Sequence, residues 1–401
     1  MAYFRNRSVN LLNLHYGIHS LALTGSGAFY TVFLLKAGLS LPAVLASLAT
    51  VLLGRFLMRP LLLPLSLRFG LKPILIAGTI VSALQYPVLA TVHGIGPSLY
   101  LLIGVSAVGD SLYWTSYHAV FASLGDAHQR GQQVGVREAM AAMIGIAAPL
   151  LAGWALTRFG PDLAFGATAL ILLSAAAPLL WTPNITPKRR APAALRAALP
   201  GVLLFVCDGW IACGLYFGWQ LALFMSLGEN FQSYGGAMAV AALAGAVGGL
   251  VLGRLIDDGH GRRAAFIALS VLATVTLVRA ASIGDAGFAV FDNALGALVS
   301  CLYVPTLMTV VYNKSQASPC VARFHIAAEG GWDIGGSTAL ITAALLVHAG
   351  GGLRTVILLS LPGVVAVFVL LYRHYRTTDT GNSAAQMVIA PLAEGADHGC
   401  I

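Results

Sequence analysis

The sequence predicts an all-α, polytopic membrane protein of twelve spanning helices, and three observations carry that prediction. The 401 residues are 58% hydrophobic and only 9% charged, with a mean hydropathy of +0.82, so apolar side chains exceed what a soluble core needs. The apolar residues fall into long stretches punctuated by Gly, Pro and charges. Lys and Arg gather in alternate loops between those stretches. A soluble globular enzyme is excluded by the first observation, as is a disordered chain, which would be poor in apolar residues. A span takes roughly 20 residues and its loop about ten more, so twelve spans fill the length and leave no room for a large extramembrane domain.

In chain order the stretches run at 9–35, 42–66, 73–92, 98–122, 133–157, 162–181, 199–224, 234–256, 264–283, 287–311, 322–348 and 353–372. The first follows Arg5 and Arg7 and could pass for a secretory signal. Its run is too long and carries His15, Tyr16 and His19, so it reads as a retained helix. Sixteen basic residues fall on one side of the predicted membrane (Arg5, Arg7, Arg68, Lys72, Arg130, Arg137, Lys188, Arg189, Arg190, Arg196, Arg262, Arg263, Lys314, Arg323, Arg373, Arg376) and four on the other (Lys36, Arg158, Arg279, Arg354). Positive residues stay cytoplasmic, so both termini are expected in the cytoplasm. The formal charge of +8 then needs no nucleic-acid partner. The five cysteines form no CxxC pair and no zinc spacing and read as packing thiols.

Between the sixth and seventh stretches, 183–198 is Pro-rich and basic. It reads as a cytoplasmic linker joining an N-terminal six-helix bundle (1–182) to a C-terminal one (199–376), with a polar, disordered cytoplasmic tail at 377–401. An Asn184-Ile185-Thr186 glycosylation acceptor falls on the cytoplasmic side and carries no weight. Internal similarity supports two halves. Arg68-Phe69-Gly70-Leu71-Lys72-Pro73 follows the second stretch, and Asp257-Asp258-Gly259-His260-Gly261-Arg262-Arg263 follows the eighth.

With those loops the chain resembles the major facilitator superfamily over residues 5–376. The second-half loop, Gly253 through Arg263, matches the family's Gly-x-x-x-Asp…Gly-Arg-Arg pattern with one extra residue. The first-half loop has Leu63 and Leu67 where the family has Gly and Asp. The resemblance implies two pseudo-symmetric six-helix bundles and assigns Arg68, Lys72, Asp257, Asp258, Arg262 and Arg263 to cytoplasmic gate loops. It also implies that helices 3, 6, 9 and 12 face lipid while the others line a central cavity.

An ionisable group inside the bilayer is costly and faces a cavity or a partner. The first stretch holds His15 and His19, the second Arg55 and Arg59, the fourth Asp110 and His118, and the fifth Arg137 and Glu138. The seventh holds Asp208, the tenth Asp292, and the eleventh His325, Glu329 and Asp333. The third, sixth and twelfth have none in their interiors, and the ninth has only Arg279 near its end. Scattered charges would not avoid the same ordinal position in each group of three.

Spacing of four places His15/His19, Arg55/Arg59, Asp110/Trp114/His118 and His325/Glu329/Asp333 each on one helix face. The two carboxylates and imidazole of the eleventh helix suit proton transfer, though pairing with Arg55 or Arg59, or a divalent ion held together with His15 and His19, stay open. Arg55 and Arg59 read either as a clamp for an anionic group or as counter-charges for Asp110 or Glu329. Trp114, Tyr117 and Trp219 are candidates for stacking on a substrate. Gly145 to Gly153, around Pro149, resembles a softened export motif or a simple kink. Gly331/Gly335 and Gly245/Gly249/Gly253 suit close helix packing.

The expectation is a secondary active transporter, an antiporter with export slightly favoured, moving a small organic solute by alternating access in a bacterial inner membrane. Asp110, Glu329, Asp333, His19 and His325 would serve proton coupling and relay. Arg55, Arg59, Asp208, Trp114, Tyr117 and Trp219 would bind substrate. No cofactor, metal or nucleic acid is implied; the partners are protons, a small molecule and the lipid bilayer, and the chain is expected to be monomeric. A lipid flippase with Arg55 and Arg59 on a phosphate head group is the alternative. An intramembrane enzyme lacks Gly-x-Ser-x-Gly and His-Glu-x-x-His.

Overall fold

A computed structural model describes residues 6–124, 130–256 and 261–375, and every regular element among them is helical. The tail at 377–401 and the gate-loop acids Asp257 and Asp258 lie outside the described residues, as do the side chains of Arg137, Glu138 and Arg262.

Each predicted stretch falls on helix. The first pass is α1 (Arg7–Thr24), a 3₁₀ turn at Ser26–Phe29, and α2 (Tyr30–Lys36). Asn6 caps its start, its Oδ1 accepting from the Val9 amide at 3.1 Å, which satisfies one of the orphan donors of a helix N-terminus. Next come α3 (Leu41–Phe69), α4 (Leu71–Ala90) and α5 (Pro97–Leu124). α6 (Arg130–Ser174) holds the fifth and sixth passes in one element, broken where Gly160 takes φ +80°. Gly70 does the same between α3 and α4 at φ +83°. Both positions need glycine, because a side chain is strained in this left-handed region.

A short α7 (Ala176–Leu179) closes the first half. The seventh pass is α8 (Ala194–Ala212), a π-helical turn at Cys213–Gly218, and α9 (Trp219–Ser226). α10 (Phe231–Ile256), α11 (Gly261–Ser282), α12 (Ala286–Ala317) and α13 (Val321–His348) follow, and α14 (Leu353–Leu358) begins the last span, Leu353–Tyr375. Among the described residues nine segments are long and apolar enough to cross a membrane, with the fifth and sixth passes joined as Met143–Leu179. α5 is not one of the nine. Asp110, Ser111, Thr115, Ser116 and His118 make it too polar, which marks it as a cavity helix rather than a lipid one.

The outside of the bundle is apolar. Leu163 and Leu170 of the sixth pass, Phe266 and Ile267 of the ninth, and Val365 of the twelfth are all exposed. On a soluble protein such a continuous apolar surface would aggregate; here it is the lipid-facing belt.

Glycine sets the closest helix contacts. A Cβ on Gly331 would lie 2.6 Å from the Val202 carbonyl oxygen, and one on Gly335 would overlap that of Val206. α13 therefore packs backbone to backbone on α8, the role expected of the Gly331/Gly335 repeat. The Gly145–Gly153 segment of α6 lies on α10: a Cβ on Gly153 would sit 2.6 Å from the Phe231 carbonyl oxygen, and the Pro149 carbonyl presses on Gly235. That segment forms one part of the seam between the two halves.

Candidate functional site

The breaks in the first and seventh passes define the centre of the molecule. The 3₁₀ turn in the first pass and the π turn in the seventh occupy corresponding places in the two halves. Both line one central cavity of about 810 Å³, through Gly27 and Ala28 on one side and Leu215, Tyr216 and Phe217 on the other. Broken helices in matching positions of two repeats are where membrane carriers build their sites, because only there does irregular backbone find polar partners. One such partner is visible: Arg279 Nη1 donates to the Leu215 carbonyl at 2.6 Å.

Asp110, Trp114, His118, Asp208, Trp219 and Glu329 all line this cavity. The four-residue spacing of Asp110, Trp114 and His118 thus turns one face of α5 inward. Arg55 and Arg59 project from α3 toward α13, which packs on it, and meet the two acids there. Arg55 Nε lies 2.9 Å from Asp333 Oδ1, and Arg59 Nη2 lies 2.8 Å from Asp333 Oδ2. Both arginines reach Glu329 Oε2 at 3.6 Å, and Arg55 Nη1 reaches Asp110 Oδ2 at 3.8 Å. Arg59 Nε donates to Asp333 Oδ2 at 2.8 Å and its Nη1 to the Thr115 hydroxyl.

This cluster joins the halves: its arginines and Asp110 come from the first, Glu329 and Asp333 from the second. Its core is buried, with Asp333 fully buried and Arg55 and Arg59 about 5% and 4% exposed, while Asp110 and Glu329 form its edge on the cavity. Two guanidiniums face three carboxylates, so the cluster carries one negative charge in excess when all three are ionised. His118 stands beside the excess, its Nε2 3.5 Å from Glu329 Oε1 and its Nδ1 2.9 Å from the Tyr312 hydroxyl. Sequence reasoning placed His118 on the inward face without giving it a role.

Asp208 forms a second centre. Its Oδ1 accepts from the Tyr303 hydroxyl at 2.6 Å and its Oδ2 from the Trp332 indole N–H at 3.1 Å. The Trp332 ring in turn carries the Arg55 guanidinium 5.3 Å from its centroid. The sequence named neither Tyr303 nor Trp332 for a role, and the spacing of one helix does not reveal a contact made by three.

Arg279 is the exception to the lipid-facing rule for the ninth helix. It turns inward, pairs with the fully buried Asp292 at 3.5 Å, and lies 4.8 Å over the Trp219 ring. Trp219 Nε1 also donates to Asn293 Oδ1 at 2.9 Å.

The structure does not bring His19 to the carboxylates. Its ring stacks on Tyr113 at 4.0 Å, and His15 bonds the Ala175 carbonyl at 2.7 Å and the Tyr113 hydroxyl at 3.2 Å. That face of α1 is spent on aromatic packing inside its own half. Tyr117 is buried in the same stack and does not reach the cavity. His325 is fully buried 5.9 Å from the His118 ring, with neither ring nitrogen hydrogen-bonded. Among the described residues no three His, Cys, Asp or Glu side chains are grouped to hold a metal ion.

In the gate loops, Lys72 Nζ donates to the carbonyls of Thr182 at 3.0 Å and Leu180 at 3.3 Å, and Arg68 lies over the Phe69 ring. The first-half loop is thus tied to the following linker, where Asn184 bonds the Lys72 amide and the Phe69 carbonyl. Arg263 is exposed.

An all-helical bundle whose first and seventh passes break beside a charged central cavity defines a membrane carrier. The chain belongs to the Major Facilitator Superfamily, whose family model matches residues 14–318. No curated protein matches it. Solved structures that share its fold include the human organic anion transporter MFSD10 (TETRAN), at TM-score 0.66 and 16% identity over 91% of this chain and 99% of that one. An auto-inhibited POT-family peptide transporter superposes at TM-score 0.68 and 12% identity, covering 92% and 97%. The Escherichia coli fucose:proton symporter FucP does so at 0.64 and 14%, covering 90% and 97%.

Proposed function

We propose that this transporter couples protons to the movement of a small organic solute by alternating access, with the Arg55–Arg59–Asp110–Glu329–Asp333 cluster as the coupling element. The observation that carries the reading is the count across the two halves: three carboxylates on two guanidiniums, in a buried place where an unmatched charge is expensive. A proton on one carboxylate, or on His118, balances the cluster and lets the halves stay together. Its loss leaves an excess charge that favours parting them to admit water. Glu329 is the acid best placed to exchange that proton, because it touches the cavity, both arginines and His118, whereas Asp333 is held by three contacts under 3 Å.

The named cargoes of the similar structures are an organic anion, a peptide and fucose with a proton, so the fold leaves the cargo open. A phosphate head group on Arg55 and Arg59 is disfavoured, because carboxylates already surround both. Direction of transport, expected as export by antiport, rests on the Gly145–Gly153 resemblance alone.

The test is flux in proteoliposomes with the solute identified by a thermal-shift screen. A pH gradient is expected to drive accumulation in the wild type and not in Glu329→Gln, which should still exchange solute across the membrane without a gradient. Accumulation that ignores the pH gradient in the wild type overturns the coupling.

A further inference from the structure

Among the described residues that line the cavity, Asp208 is the carboxylate with no basic nitrogen within 4 Å. Asp110, Glu329 and Asp333 each lie within 4 Å of Arg55, and Asp292 within 4 Å of Arg279, whereas no basic nitrogen among the described residues comes that close to Asp208. Its partners are the Tyr303 hydroxyl and the Trp332 indole N–H, one on each oxygen. An indole N–H only donates, so Oδ2 is an acceptor, and the two contacts hold the carboxyl group in a fixed orientation with no cation beside it. Two neutral hydrogen bonds orient an anion in an apolar cavity but do not offset its desolvation.

The cavity that Asp208 lines also carries aromatic side chains. Tyr30, Tyr216, Phe217 and Trp219 line the same cavity, and Tyr216 is 47% exposed into it. Aromatic faces attract cations as well as apolar bodies. The charges agree in sign: among the described residues Asp110, Asp208 and Glu329 line the cavity against Arg55 and Arg279, while Asp333, Arg59 and Asp292 are buried behind them as their ion-pair partners, so Asp208 stands outside both ion-paired groups.

We propose that Asp208 is the anchor for the positive group of a hydrophobic organic cation, with Tyr303 and Trp332 setting the carboxylate and the aromatic walls holding the cation's apolar body. This names the substrate class of the transport site and rests on the transporter reading. The cavity, about 810 Å³, falls in the range that encloses a drug-sized ligand. Trp332 also connects the two centres, since its ring faces Arg55 while its N–H holds Asp208. A cation arriving at Asp208 competes for that ring with Arg55 and so bears directly on the proton cluster.

Two probes of nearly equal size and opposite charge separate this from the alternatives: tetraphenylphosphonium and tetraphenylborate. In equilibrium dialysis against the purified protein in detergent, corrected for binding to empty micelles, tetraphenylphosphonium is expected to bind saturably and tetraphenylborate not. Asp208→Asn keeps the size of the side chain but loses the charge: its one carbonyl oxygen can accept from the Trp332 indole while its NH2 donates to the Tyr303 hydroxyl, and it should weaken tetraphenylphosphonium at least tenfold. Asp208→Glu should restore most of the affinity, which a merely structural role for Asp208 does not predict. Saturable tetraphenylborate binding of equal strength, undiminished cation binding in Asp208→Asn, or no saturable cation binding by the wild type would each overturn the assignment. The dialysis uses no gradient, so its failure leaves proton coupling standing, and pH-independent flux leaves the cation site standing.

Discussion

At the scale of single residues, Asp333 shows how a buried charge is made tolerable. Both of its oxygens face guanidiniums at 2.8 and 2.9 Å, and every group in the contact is removed from solvent. Breaking a buried pair by deleting one partner is strongly destabilising, by about 3–5 kcal/mol. Asp333→Asn would leave two guanidiniums to share Glu329 and Asp110 at 3.6 Å and beyond. The expected result is a clear fall in melting temperature in detergent, larger than that of Glu329→Gln, whose longer contacts release less. Equal shifts in the two variants would contradict the ranking. The pair Lys36–Glu229, also 3.6 Å apart, is the contrast: its side chains are 48% and 43% exposed, so Lys36→Ala should change the melting temperature little, exposed pairs contributing about 1 kcal/mol or less. The acids and bases of the cluster were legible in the sequence, because ionisable residues in apolar stretches are rare and their four-residue spacing aligns them. Which of them touch was not, since Arg55 and Asp333 are 278 positions apart in the chain and meet only through the packing of α3 on α13. The same spacing argument grouped His19 with the relay, and there the structure shows an aromatic stack instead. Periodicity identifies a face, and only packing decides what that face meets.

At the scale of elements, the helices followed from hydropathy almost stretch by stretch, while the breaks within them did not. Nothing in the apolar pattern distinguishes Ser26–Phe29 or Cys213–Gly218 from their flanks. The one available signal is glycine: Gly25 and Gly27 at the first break, Gly214 and Gly218 at the second. A π turn leaves carbonyls displaced from their usual donors and is tolerated where side chains replace them, as Arg279 does at Leu215 and Ser360 does at Ile211 at 2.9 Å. The contact of α8 with α13 has a sharper consequence. It brings Asp208 and Trp332 together only because Gly209 and Gly335 lack side chains: a Cβ on Gly209 would overlap the Trp332 carbonyl, and one on Gly335 that of Val206. Backbone is the obstacle in both cases, so the helices themselves must move. Gly335→Val is expected to destabilise by about 1–3 kcal/mol or more and to separate the Trp332 indole from Asp208, read as a shifted tryptophan emission and a lowered melting temperature. A variant that melts and emits like the wild type would mean the interface has slack that the contact distances exclude.

At the scale of the whole molecule, the cavity is bounded at both ends by contacts between the halves. Near Lys36, Phe29 packs edge to face on Tyr234 with ring centres 5.2 Å apart, and the Tyr234 hydroxyl donates to the Ala28 carbonyl at 3.2 Å. At the opposite end His118 and Phe121 of α5 meet Tyr312 of α12, and the Gln316 side chain donates to the Ala122 carbonyl. A carrier that opens to each side in turn must break one of these layers while keeping the other, and the two layers differ in what holds them. The layer near Lys36 is mostly aromatic packing with an exposed ion pair, Lys36–Glu229, whereas the layer at His118 touches the Arg55–Arg59–Asp333 cluster through Glu329. Under the proposed coupling, protonation would act directly on one end, and the other end would open as a consequence of the halves rocking. Tethering the ends separately tests this. With the native cysteines replaced, a bismaleimide cross-link between Lys36→Cys and Glu229→Cys should abolish proteoliposome flux yet leave saturable binding of solute added from the His118 side. A cross-link between Ala122→Cys and Gln316→Cys should abolish flux and leave binding only from the Lys36 side. If the Lys36–Glu229 tether permits full flux, that mouth does not open in the cycle, and solute must enter and leave by another route.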